Sequence, residues 1–282
     1  MRLGETVFIT NGYPLNHSVK KSFSTSLQLP EPLLLITNPL AFALSLNKWY
    51  SNCRGKWRSS QIEPIEKMAL NDIEIRHQII AVCQRLYQSG LITGSSGNVT
   101  LFDRKKGLIA VTGSGAVCQH LDLDDVMIVD KNGNTLSGKG SPTSELAFHL
   151  ALYRKRADIN AIVHTHSTYA TTLACLGWEL PAVHYLIGFA GKKVPLAPYA
   201  TFGSEALAHT ITETIGDGHA LLLANHGLVA VGPTLNDAFR IALEVEFAAK
   251  IFYLSKCVGN PVILDDDEMG RVIARLRDYS KP

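Results

Sequence analysis

The run INAIVHTH, residues 159–166, is rich in β-branched and apolar residues and feeds a helical segment over 167–175. In a strand, successive side chains leave opposite faces, so His164 and His166 share one face while Val163 and Thr165 take the other. Downstream, HALLLANHGLVAVG (219–232) reads as two strands around a tight Asn-His-Gly turn. His226 stands in that turn, and Gly227 behind it lets the backbone approach a neighbour closely. Upstream, GSSGNVTLF (94–102) opens a strand after a Gly/Ser turn, and GLIAVTGSG (107–115) is a short strand ending in one. Val126 to Val129 is a further strand, followed by a hairpin turn centred on Asn132-Gly133.

Helical periodicity surrounds these strands. Ile73, Ile79, Ile80, Val82, Cys83, Leu86 and Tyr87 recur at helical spacing in a helix that begins at Met68, and Gly90 supplies the stop. Ser141-Pro142-Thr143-Ser144 is expected to open a helix to about Arg156, with Pro142 in its first turn. Leu235 to Val258 reads as a long helix, and Asp265 to Tyr279 as a short final one. Irregular alternation with hairpin signals predicts an α/β protein, a single-domain α/β/α sandwich around a mixed, largely antiparallel sheet.

The 282 residues carry 27 basic and 25 acidic side chains, a net charge of +2 that gives no reason to expect nucleic-acid binding. That charge is unevenly spread. Residues 1–67 hold eight Lys/Arg against four Glu, which leaves 19 basic and 21 acidic residues for the rest. The apolar run LLLITNPLAFALSL (33–46) is interrupted by Asn38 and Pro39, and a membrane span needs about 20 apolar residues. Residues 1–67 are therefore expected to be a disordered extension or to precede a true start at Met68. Five scattered cysteines with no CxxC pair suit reduced thiols and a cytoplasmic location. The dinucleotide GxGxxG and Walker fingerprints are absent.

Two histidines on one strand face can offer two nitrogens to one Zn²⁺, with His226 as a third. The alternative is a pair of half-buried polar residues, and spacing alone leaves both open. Three histidines leave a metal open to water or substrate. The remaining histidines (17, 77, 120, 149, 184, 209, 219) read as surface or core. Glu145 is either a stabilising acid at a helix N-terminus or, beside such a metal, a carboxylate that alternates between ligand and general base. The turns Ser95-Ser96-Gly97-Asn98, Thr112-Gly113 and Thr143-Ser144 offer hydroxyls and backbone N–H groups that suit a phosphate, if the fold brings them together.

In this order, GSSGNVT (94–100), VTGSG (111–115), SPTSELAFHLALY (141–153), AIVHTHS (161–167), PAVHYLIGFAG (181–191), PLAPYATFGS (195–204) and LLANHGLVAVG (222–232) resemble the class II aldolase/adducin family. The likeness runs from about residue 70 to the end, which makes 68–282 the catalytic domain. PAVHY and APYATFG narrow it toward the fuculose-phosphate branch. The resemblance implies Zn²⁺, or another divalent metal, on His164, His166 and His226, with Glu145 as fourth ligand and acid/base. It implies a substrate phosphate cradled by Ser95, Gly97, Asn98, Thr112, Gly113, Thr143 and Ser144. Tyr185 and Tyr279 match catalytic tyrosines that cross a subunit boundary, in a homotetramer with active sites at its interfaces. The implied reaction cleaves a ketose 1-phosphate such as L-fuculose 1-phosphate to dihydroxyacetone phosphate and an aldehyde. Thr143 departs from a usual serine, and Ser96 from alanine or another small residue. Rival activities on the same site are ribulose-phosphate 4-epimerase, methylthioribulose-phosphate dehydratase and tetronate-phosphate decarboxylase. A non-catalytic adducin-like module is a rival of another class. Retention of all three histidines and Glu145 speaks against it.

Overall fold

The computed structural model describes residues 62–279; the expectations for the N-terminal extension fall, up to residue 61, outside the described residues. Strands β1 (Asn98–Asp103), β2 (Leu108–Thr112), β3 (Val126–Asp130), β4 (Thr135–Ser137), β5 (Ala161–Thr165), β6 (Leu196–Ala197), β7 (Ala220–Leu223) and β8 (Gly227–Gly232) form one sheet. Its order is β4-β3-β2-β1-β5-β8-β7-β6. Every neighbouring pair is antiparallel except β6 with β7. The mixed, largely antiparallel sheet is therefore as expected.

The helices are α1 (Ile62–Gln88), α2 (Leu146–Lys155), α3 (Thr168–Cys175), α4 (Glu205–Thr214), α5 (Leu235–Val258) and α6 (Asp266–Tyr279). Alternation along β5 decides what each sheet face carries. Ala161 and Val163 join the apolar cluster of α1, α3 and α5, while Ile162 joins Phe148 and Leu152 of α2 and Leu207 and Ile211 of α4. Helices thus cover both faces, and the architecture is an α/β/α sandwich. Burying a Leu, Ile or Phe side chain contributes about 1.5–3 kcal/mol, so these two layers hold the sheet. The same alternation sends His164 to the α2 side, together with its opposite number Asn98 on β1.

Two expected helices start elsewhere than the sequence reading put them. Helix α1 starts upstream of Met68, at Ile62. The helix expected from Ser141 begins only at Leu146. Residues 141–143 are instead tied to the turn after β2: Pro142 bridges Gly113, Ser114 N–H donates to Ser141 O (2.8 Å), and Thr143 N–H donates to Thr112 O (3.1 Å). These long-range bonds displace the local helix start and deliver Glu145 to the first residue of β1, Asn98. Among the described residues, no helix is long and apolar enough to cross a membrane.

Candidate active site

His164 is the next-to-last residue of β5 and is fully buried; its Nδ1 lies 2.9 Å from the carbonyl oxygen of Leu228. A carbonyl only accepts, so Nδ1 carries the proton and donates, and Nε2 presents its lone pair to the cluster. His166 follows two residues on, past the strand end, with its Nε2 3.0 Å from that of His164. His226 comes from the β7–β8 turn, where Asn225 takes a left-handed φ of 54°, a conformation Asn tolerates better than most residues. Metal-binding atoms of the three histidines all lie within 4.8 Å of one another.

Glu145 closes the cluster from the start of α2. Oε2 is 3.2 Å from His164 Nε2, and Oε1 is 3.3 Å from His226 Nε2. Oε1 is buried and accepts no hydrogen bond. A ring lone pair facing a second ring nitrogen and a carboxylate at such distances requires a shared proton or a cation between them. Three imidazoles and one carboxylate are the donor set of a divalent metal, and the orphaned Oε1 fits that set. Burial alone would raise the Glu145 carboxyl. The hydrogen bond and charge of His164, the charge of His226 and the Asn98 amide outweigh it and hold the group at about 2. Partial desolvation of the rings in the cluster, reinforced by the charge of His164, pushes His166 and His226 down to about 4, although His166 as a residue is exposed. Both are therefore neutral, and able to ligate, at ordinary pH.

Close backbone approach builds this corner. A Cβ on Gly97, which has φ +82°, would stand 2.4 Å from the carbonyl oxygen of His164. One on Gly227 would stand 2.4 Å from Thr165 O and 2.9 Å from His166 Cδ2. The approach anticipated behind His226 is thus to the metal-binding strand itself.

The Class II Aldolase and Adducin N-terminal domain model matches residues 77–253, which hold the whole cluster. The chain belongs to the class II aldolase/adducin family. It is 46% identical over 206 residues to the 5-deoxy-D-ribulose 1-phosphate aldolase of Bacillus thuringiensis serovar kurstaki, covering 73% of this chain and 97% of that one. Against the 5-methylthioribulose-1-phosphate/5-deoxyribulose-1-phosphate aldolase of Rhodospirillum rubrum it is 35% identical over 208 residues, 73% of this chain and 93% of that one. A solved L-fuculose 1-phosphate aldolase superposes with a TM-score of 0.71 at 42% identity, covering 72% of this chain and 96% of that one. The protein is a metal-dependent class II aldolase.

Beside the histidines of this aldolase lies a cleft of about 260 Å³. Of the residues expected at a phosphate, Ser95, Gly97, Asn98, Gly113, Thr143 and Ser144 line it, with Glu145, His166 and His226. Thr112 does not line it; its hydroxyl accepts the N–H of Val99 at 3.2 Å, inside the sheet. Ser114 and Gly115 line it in addition. The N–H groups of Gly113 and Ser114 are spent on Asp125 O and Ser141 O, both at 2.8 Å. Hydroxyls therefore carry more of the cleft's polarity than the turn sequences suggested. Tyr185 is exposed and lies outside the lining of its own chain's cleft; Tyr279 is the last residue of α6. Sequence reasoning missed His149, which is fully buried and hydrogen-bonded to Asn98. Its only sequence signal is its spacing of one helical turn from Glu145. Phe202, exposed at the cleft, also had no assigned role beyond its place in the APYATFG motif.

Proposed function

We propose that this aldolase binds Zn²⁺ and cleaves a ketose 1-phosphate between C3 and C4, releasing dihydroxyacetone phosphate and a short, methyl-ended aldehyde. The observation that carries this reading is the Oε1 of Glu145, which accepts no hydrogen bond and is buried against three histidines at one end of a hydroxyl-lined cleft. A divalent cation held by His164, His166 and His226 supplies Lewis acidity, stabilising the negative charge that develops on the C2 oxygen. The Ser95, Thr143 and Ser144 hydroxyls orient the phosphate, so that C3 lies toward the carboxylate. Glu145 returns a proton to C3 in cleavage and removes it in synthesis. Asn98 keeps the carboxylate in place meanwhile, through its 2.9 Å hydrogen bond to Oε2. The ring of Phe202 offers the aldehyde's methyl end an apolar contact in an otherwise polar cleft.

Likeness to the Bacillus enzyme favours 5-deoxy-D-ribulose 1-phosphate, which would yield acetaldehyde as second product. L-fuculose 1-phosphate, which would yield L-lactaldehyde, is the second reading, favoured by the solved fuculose-phosphate aldolase. Tyr185, exposed and outside its own cleft, suits a hydroxyl offered to the cleft of a neighbouring copy, where it would protonate the aldehyde oxygen in synthesis; Tyr279 would join it there. That arrangement asks for a homotetramer. The four described cysteines are free thiols, which suits the proposed cytoplasmic location.

Supplying the two ketose 1-phosphates, methylthioribulose 1-phosphate and L-ribulose 5-phosphate side by side tests the proposal. Dihydroxyacetone phosphate should appear from both deoxyketose 1-phosphates, with the preferred one ahead by about 10-fold or more in kcat/KM. L-ribulose 5-phosphate should yield none. An epimer, a dehydrated product or released CO₂ without dihydroxyacetone phosphate would assign the site to one of the rival activities.

A further inference from the structure

The carboxylate of Glu145 is held by a hydrogen-bonded chain whose every proton can be assigned. Asn98 Nδ2 donates to Glu145 Oε2 at 2.9 Å, and the carboxamide oxygen on its other side meets His149 Nε2 at 2.6 Å. A carboxylate only accepts, which fixes the amide's orientation; the amide oxygen only accepts, which puts the His149 proton on Nε2. Neutral His149 then has a lone pair on Nδ1, and Thr100 Oγ1, 2.9 Å away, must donate to it. Having given its own proton, Thr100 accepts that of the Tyr153 hydroxyl at 2.6 Å, a shorter contact than the 3.3 Å at which the same hydroxyl approaches the Asn160 carbonyl oxygen. All donors point one way, from Tyr153 through Thr100, His149 and Asn98 to Glu145. Thr100 and His149 are fully buried, and the Phe148 ring stacks on the His149 imidazole at 4.1 Å between centroids. Burial, first of all, and the charge of His164 push His149 down to about 3, so the neutral form persists at working pH.

We propose that His149 is a positioning residue for the aldol chemistry, holding the Asn98 carboxamide in the one orientation that donates to Oε2 and so leaves Oε1 of Glu145 facing the histidines and the cleft. Without its Nε2–H, the amide can turn over and set its oxygen against the carboxylate, which loses a donor and its fixed direction. The inference rests on the reading of Glu145 as the group that moves the C3 proton.

Three variants and one spectrum test it. His149→Leu should lower kcat by about 10- to 100-fold, the usual cost of losing an outer partner of a catalytic group, with KM and bound metal unchanged. His149→Gln, which can donate to Asn98 and accept from Thr100, should restore most of the rate. Thr100→Val keeps the side-chain shape and serves where His149→Leu does not fold; it should show the same kcat loss in weaker form. In the metal-free wild-type protein, ¹⁵N spectra of the imidazoles should show His149 as the Nε2-protonated tautomer, and in Thr100→Val as a mixture. Wild-type kcat in both His149→Leu and Thr100→Val, or an Nδ1-protonated His149, would overturn the proposal. Glu145→Gln is assayed alongside. If it turns over normally, the reading of Glu145 fails and the positioning role with it. If it is inactive while His149→Leu is normal, the positioning role alone fails.

Discussion

Glu145→Gln keeps its metal and loses turnover by about 10²- to 10⁴-fold, the usual contribution of a positioned acid/base. The substitution is isosteric, and three histidines remain to hold the cation. What disappears is the ability to take and return a proton. The low value of about 2 comes from the hydrogen bond and charge of His164, the charge of His226 and the Asn98 amide, which together outweigh burial. A divalent cation would be held by the three imidazoles and would supply Lewis acidity there, beside the carboxylate. The base that then works is one held by Asn98. Steady-state rates and bound-metal analysis on the same preparation check both halves. Near-normal cleavage by Glu145→Gln would remove the residue from the chemistry, and loss of metal would make it chiefly a ligand.

Removing the cation has an effect of similar size. Chelation, or His166→Ala, should cost about 4 kcal/mol of transition-state stabilisation, hence about 10³-fold in rate, with divalent metal restoring the chelated wild type only. His166 is exposed, so its truncation should leave folding intact and separate metal loss from unfolding. The pH dependence follows from the ligands. A histidine whose pKa is depressed from 6.5 to about 4 is deprotonated over most of the usual range, so protons compete with metal only in strong acid. Metal content should stay level from pH 8 to about pH 5 and fall as pH drops through about 4. A fall already centred on pH 6.5 would mean that these imidazoles are solvated as in free peptides. Metal titration followed by equilibrium dialysis at each pH makes the measurement.

Much of this site is visible in the chain itself, for identifiable reasons. The period of two in β5 puts His164 and His166 on one side, and the Asn-His-Gly turn marks His226, because both are local geometry. From its residues alone Glu145 read as an acid near a helix start or, given a metal, as its carboxylate partner. Its actual place depends on residues 141–143 pairing with the turn after β2, bonds that no local propensity encodes. The Gly113 amide, which the turn sequence seemed to offer a phosphate, is taken by Asp125 O, and the same pairing with Ser141 takes the Ser114 amide. Helix α4 escaped notice although Ser204 caps it, accepting Leu207 N–H at 3.1 Å, because its sequence ran on from a motif read for other reasons. His149 is the plainest case. A buried histidine on an apolar helix looks like core until Asn98, 51 positions away, is seen at 2.6 Å.

The central claim is that this chain makes and breaks a carbon–carbon bond by moving the C3 proton with Glu145 beside a metal. Solvent exchange measures that step without the aldehyde. Metal-loaded protein incubated with dihydroxyacetone phosphate in D₂O should replace one hydrogen of the hydroxymethyl carbon by deuterium, as followed by NMR. Chelated protein and Glu145→Gln should not. Ketose cleavage without any such exchange, or exchange as fast in Glu145→Gln as in the wild type, would contradict the account.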